Sequence, residues 1–134
     1  MSHFTKVKTN ISDAATLVKA LGDIGFNDVE LHATPQHLYG YQNDVRKQTA
    51  EVIIRRRYVG QASNDIGFAR ASDGTLTAII SEFDRGYYNA DWVAKLSQRY
   101  AYHTVMNKLA DQGFSIESER AEHGQIKISL SRLG

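Results

Sequence analysis

The chain has 134 residues, 16 basic and 15 acidic side chains, a formal net charge of +1 and no cysteine. Domains cluster near roughly 100–150 residues, so one α+β domain over 1–134 is expected. Without cysteine there can be no disulfide, thiolate catalysis or cysteine-ligated zinc or iron–sulfur site, and the charge balance supplies no global field to draw in nucleic acid or an anionic membrane.

Residues 2–8 alternate loosely, with Phe4 and Val7 apolar, which predicts a first strand in the sheet. No signal-peptide run follows Met1, and no stretch is apolar for long enough to span a bilayer. A cytoplasmic protein with no membrane partner is therefore expected. Asn10 or Ser12 is placed to cap a helix with its side-chain oxygen, with Asp13 in the first turn. Ala14, Leu17, Val18, Leu21 and Ile24 recur at helical spacing, and Gly25-Phe26 ends the helix. A second strand is expected over 28–33. The polar stretch 34–50, with the only proline at Pro35, reads as irregular, although 38–41 can pair with a neighbour. Val52-Ile53-Ile54 extends a strand over 51–58.

Segments 65–71 and 75–83 flank Asp73-Gly74, which predicts a hairpin with a type I′ turn. Asn89 caps a second helix over about 90–112, stopped by Gly113-Phe114. Two last strands follow at 115–121 and 125–130, where Ile126, Ile128 and Leu130 alternate with Lys127 and Ser129 and predict one buried face. The fold class is thus α+β: a mainly antiparallel sheet of about six to seven strands with two helices packed on one face. The helix stops at 21–26 and 109–114 agree at four of six positions. Either a shared Schellman-type stop or an old duplication accounts for that.

Chemistry is sparse. His32 and His37 are separated by Pro35 and lack ligand spacing, and there is no HExxH. The amino-terminal Met1-Ser2-His3 is lost as a copper motif once Met1 is removed. No metal and no cofactor are expected. No GxSxG elbow, phosphate loop or dinucleotide fingerprint occurs. Glu117 and Glu119 share a strand face that reads as solvated. Arg55, Arg57 and Tyr58 offer an arginine–tyrosine sheet face for single-stranded nucleic acid, but strand alternation turns Arg56 away and splits the cluster. The second helix carries two apolar stripes, Trp92, Val93, Leu96 and Tyr100 against Tyr102, Val105, Met106 and Leu109, turned about 140° apart. One stripe faces the sheet. The other needs cover from the last strands, the long loop or another subunit.

Six blocks carry a family resemblance: 1–11, Gly40-Tyr41-Gln42, Asn64-Asp65-Ile66-Gly67-Phe68, Gln98-Arg99-Tyr100-Ala101-Tyr102, Gln112-Gly113-Phe114 and Gly124-Gln125-Ile126-Lys127. In this order they resemble the hypothetical chloroplast reading frame thirty-five family of cyanobacteria and algal plastids. That family has no known function, so the resemblance implies no catalytic residue. For algal relatives it implies the plastid stroma.

The functional expectation is a non-enzymatic accessory or interaction module with an unknown protein partner. A homodimer interface drawn from Trp92, Arg99, Tyr100 and Tyr102 fits it, because aromatics and arginine offer large area with few rotors. The alternative is a single-stranded nucleic-acid binder through Arg55, Arg57 and Tyr58. A third class, an enzyme, would need a site that no motif betrays.

Overall fold

Short alternating segments separated by turn residues build an antiparallel sheet, and two capped helices supply its cover. The computed structural model describes residues 3–132; Met1 and Ser2, which open the first sequence block and the first predicted strand, lie outside them. The chain divides into two compact units, Met1–Tyr100 and Ala101–Gly134.

The first unit contains β1 (Phe4–Val7), α1 (Ala14–Asp23), β2 (Glu30–Tyr39), β3 (Val45–Ile54), a helical turn α2 (Arg56–Val59), β4 (Ile66–Arg70), β5 (Leu76–Ser81), a 3-10 turn (Asp84–Gly86) and the start of α3 (Ala90–Asp111). Its five strands form one sheet in the order β1-β5-β4-β3-β2, with every neighbouring pair antiparallel. The first strand is paired as expected, Phe4 opposite Ser81 and Val7 opposite Ala78. The second unit contains the rest of α3 and a hairpin of β6 (Phe114–Glu122) and β7 (Gln125–Arg132). The α+β class and the antiparallel pairing hold. The seven strands, however, divide into a five-stranded and a two-stranded sheet.

Alternation decides which residues form the core. Val52, Ile54, Ile66, Phe68, Leu76, Ala78 and Ile80 point to one sheet face. There they meet Leu17, Ala20 and Leu21 of α1 and Val93 and Leu96 of α3, with Trp92 and Tyr100 packed at the margin. Both helices thus cover the same face, and the first of the two stripes on α3 is core. The other face buries a smaller group, Leu38, Ala50, Ile53 and Ile79.

That smaller core explains the largest error in the sequence reading. Residues 34–50 are a long, bent hairpin rather than irregular chain. Its register shifts between Leu31 and Gln36 and again between His37 and Tyr39. Pro35 falls in the first bulge of an edge strand, where a missing N–H is tolerated. The bulges break the alternation and let the hairpin tip curl over the open face. Gly67 makes this close approach fit: a Cβ there would lie 2.8 Å from Ala50 Cβ and 2.9 Å from Leu38 Cδ2.

Local chemistry corrects three further points. The cap of α1 is Asp13, whose carboxylate accepts the Thr16 N–H at 3.0 Å and the Thr16 hydroxyl, rather than Asn10 or Ser12. The Asp73-Gly74 turn is not type I′, because only Gly74 has positive φ. Gly74 N–H donates to Ala71 O at 3.0 Å and Ala71 N–H to Thr75 O at 2.8 Å, a type I turn closed by a left-handed residue. The third strand stops at Ile54, and residues 56–59 turn helical. The helix stops form as expected. Phe26 N–H donates to Leu21 O at 2.9 Å across Gly25 at φ +105°, and Asn89 Oδ1 accepts the Trp92 N–H at 3.1 Å.

Candidate functional site

The polar residues buried deepest in the first unit gather where β3 ends and β4 begins. Asp65 is fully buried and saturated: Oδ1 accepts the Arg56 N–H at 2.6 Å, and Oδ2 accepts the Tyr39 N–H at 2.7 Å and Arg55 Nη1 at 2.8 Å. The same guanidinium forks onto Glu30, Nε to Oε2 and Nη2 to Oε1, both at 2.9 Å, and lies over the Tyr39 ring. The Arg55 hydrogen bonds, with a lesser contribution from His32, hold the Glu30 carboxyl below its ordinary value against its partial desolvation. Asn64 Oδ1 accepts the Tyr41 N–H at 2.9 Å. Two sequence blocks, 40–42 and 64–68, are therefore one latch that holds the hairpin tip onto the start of β4.

This latch disperses the expected arginine–tyrosine sheet face. Asp65 takes the Arg56 N–H, which turns the chain out of β3 into α2. Arg55 is engaged by Glu30 and Asp65, and Arg56 by the carbonyls of Ser63 and Gln61. Arg57 lies 4.7 Å over the Tyr58 ring, on the helical turn and not on the sheet.

Beside the latch lies a cavity of about 480 Å³ lined by Val59, Ser63, Phe83, Asp84, Tyr87 and Tyr88. Asp84 is 4% exposed, whereas Phe83 and Tyr87 are 61% and 75% exposed. The Asp84 carboxylate accepts the Asn64 N–H at 3.0 Å, Asn64 Nδ2 at 3.3 Å and the Ser81 hydroxyl at 2.8 Å, all on Oδ2. The rings of Tyr87 and Tyr88 meet edge to face at 4.8 Å, and Tyr88 in turn meets Trp92 at 5.1 Å. Burial, then Tyr87 and the Asp84 carboxylate, push the Tyr88 phenol above its ordinary value. Sequence reasoning missed Asp84. Its partners are 3 and 20 residues away in the chain, and only the 64–68 block hinted at them.

The four residues expected at an interface have partners within their own units. Trp92 packs on Phe26 and Tyr88. Arg99 Nε meets Asp23 Oδ2 at 2.9 Å. The Tyr100 hydroxyl accepts the N–H groups of Ser12 and Asp13 at 3.2 and 2.9 Å. Desolvation would raise that phenol's pKa, but the two donors outweigh it and bring it below the ordinary value. Arg99 and Tyr100 thus fasten α3 to opposite ends of α1. In the second unit, the Tyr102 hydroxyl donates to Glu119. The two tyrosines diverge, as residues two apart on a helix must, by about 160°.

The second unit turns one apolar side of its hairpin, Ile116, Leu130, Ile128 and Ile126, toward the register shared with Ala121 and Glu119. Glu117 falls at a register shift between Ile116 and Ser118, which interrupts the alternation expected to put it on one strand face with Glu119. Met106, Leu109, Phe114, Ile116 and Leu130 line a cavity of about 300 Å³. The last strands are thus the cover for the second stripe. That cover is incomplete: no described side chain from 101 to 132 is buried, and the alternating residues of β7 are half-buried.

Among the described residues, no cluster of three or more histidines and carboxylates could hold a metal, and no helix is long and apolar enough to cross a membrane. An antiparallel sheet latched by buried polar residues, together with a helix–hairpin unit, defines an α+β protein. The family model "Protein of unknown function (DUF1257)" matches residues 20–129, and the chain belongs to that family. It is similar to three proteins each named "Uncharacterized protein ycf35". Those of Cyanophora paradoxa and Guillardia theta are 28% identical over 134 residues, and that of Pyropia yezoensis is 27% identical over 136, each match covering 98% of both chains. No solved structure matches it significantly.

Proposed function

We propose that the protein is a non-enzymatic accessory that works through protein contacts, with the helix–hairpin unit as its contact surface. One observation carries this reading: the unit buries none of its described side chains, and it leaves Val105 47% and Ile116 42% exposed. A unit that buries no described side chain leaves its half-buried apolar residues for a partner to cover. A two-stranded hairpin is marginal alone, and its outer edges are templates for strand addition. The engagement of Arg55 and Asp65 by the chain itself also favours a structural role for the polar cluster over a catalytic one. A plastid-type setting is supported by the relatives' names.

The single-stranded nucleic-acid reading needs free guanidinium groups beside stacking rings. Of Arg55, Arg57 and Tyr58, the pair Arg57 and the 38% exposed Tyr58 still resembles that arrangement. The test is affinity purification from the native cell with wild type and with V105E/I116E. The reading expects one stoichiometric protein held by wild type and lost by the variant, with unchanged far-ultraviolet circular dichroism. Equal recovery by both, or salt-sensitive oligonucleotide binding by wild type instead, would overturn it.

A further inference from the structure

We infer that the cavity at the 3-10 turn is a receptor for an organic cation, an ammonium or guanidinium head on an alkyl stem. The inference is independent of the helix–hairpin surface. Two buried aspartates differ in their partners. Asp65 is fully buried and faces the Arg55 guanidinium at 2.8 Å. Asp84 is 4% exposed and forms no ion pair among the described residues; its donors, the Asn64 backbone and amide and the Ser81 hydroxyl, are all neutral. Buried carboxylates are paired as a rule, because neutral donors only partly offset the loss of hydration. All three donors fall on Oδ2, and no described residue donates to Oδ1.

The surroundings supply what a cation needs. Phe83, Tyr87, Tyr88, Val59 and Ser63 line the rest of the cavity. The rings of Tyr87 and Tyr88 stand at 65° to each other. Aromatic faces attract cations through their quadrupole, more strongly once water is excluded. Phe83 and Tyr87 keep large exposed areas that a bound head would cover. A metal ion is a poor occupant, since the lining offers a single carboxylate and no histidine, and no group of three or more histidines and carboxylates able to hold a metal occurs among the described residues. A neutral ligand would leave the charge of Asp84 unanswered.

The test is a nuclear magnetic resonance titration of the whole protein, following the Asn64 side-chain amide and the ring signals of Phe83 and Tyr87. The probes are N-acetyl-arginine amide, N-acetyl-lysine amide, spermidine and, as the neutral isostere, N-acetyl-citrulline amide. Saturable shifts with the cations, and at least tenfold weaker ones with citrulline, are expected. Tighter binding of the capped amino acids would assign the site to a partner's side chain; tighter binding of spermidine would assign it to a free polyamine. Asp84→Asn should abolish the response. Because Asp84 also organises Asn64 and Ser81, Tyr87→Ala is the second variant: its ring is 75% exposed, and its loss should weaken cation binding several-fold without a change in melting temperature. Absence of saturation at tens of millimolar, equal binding of citrulline, or full binding by Tyr87→Ala would overturn the inference.

Discussion

The two units differ in what they bury. The first buries side chains on both faces of its sheet, with Phe68 at 0% exposure on the helix-covered side and Leu38 at 0% on the other. In the second, the corresponding apolar residues, Met106, Leu109, Phe114 and Leu130, are only half-buried. Both obey the same local rules: each helix stop is a glycine at positive φ, Gly25 and Gly113, followed by phenylalanine. Local rules therefore shape an element without stabilising it. Stability follows burial, and the first unit has it.

Core truncation gives the widest contrast. Phe68→Ala should lower unfolding free energy by about 3–5 kcal/mol, the range for deleting a fully buried aromatic ring. Leu130→Ala should cost about 1 kcal/mol or less, since its side chain is already half in water. Urea denaturation of both variants checks this, and equal losses would erase the distinction between the units.

The open face of the large sheet is the next test. Gly67→Ala places a methyl group 2.8 Å from Ala50 Cβ, which is fixed to the backbone. A loss of about 1–3 kcal/mol is expected from overpacking, read as a lower melting temperature. An unchanged value would mean that the hairpin tip does not rest there. This packing was hidden in the sequence. Leu38 is the lone buried side chain of a strand whose pattern is broken by Pro35 and a bulge. The Asn89 cap, the helix stops and the pairing of β4 with β5 were legible because their signals lie within a few residues. The latch was not, since Asp65 meets Tyr39 across 26 residues and Arg55 meets Glu30 across 25. Nor was the end of β3, because Val52-Ile53-Ile54 runs into Arg55 with no turn residue between. The split of α3 into two stripes could be read, but how completely each stripe is covered could not.

A smaller effect is set by acid. Arg55 hydrogen bonds depress the pKa of Glu30 below its ordinary 4.5, and the Thr16 hydroxyl and N–H depress that of Asp13 below 3.8. A depressed carboxylate contributes stability above its unfolded value and loses it as pH falls through the folded one. Both groups belong to the first unit, so its stability should decline below about pH 4. Glu30→Gln should be less stable at pH 7 yet show a shallower acid decline. A decline as steep as that of wild type would remove Glu30 from the account.

Native-state hydrogen exchange tests the central claim, that the first unit carries the stability while the second is a surface awaiting cover. Amides of β4 and β5 should exchange only through global unfolding, with the full unfolding free energy. Those of β6 and β7 should exchange through local opening at about 0–2 kcal/mol. Equal protection of the hairpin and the central strands in the isolated chain would contradict the claim.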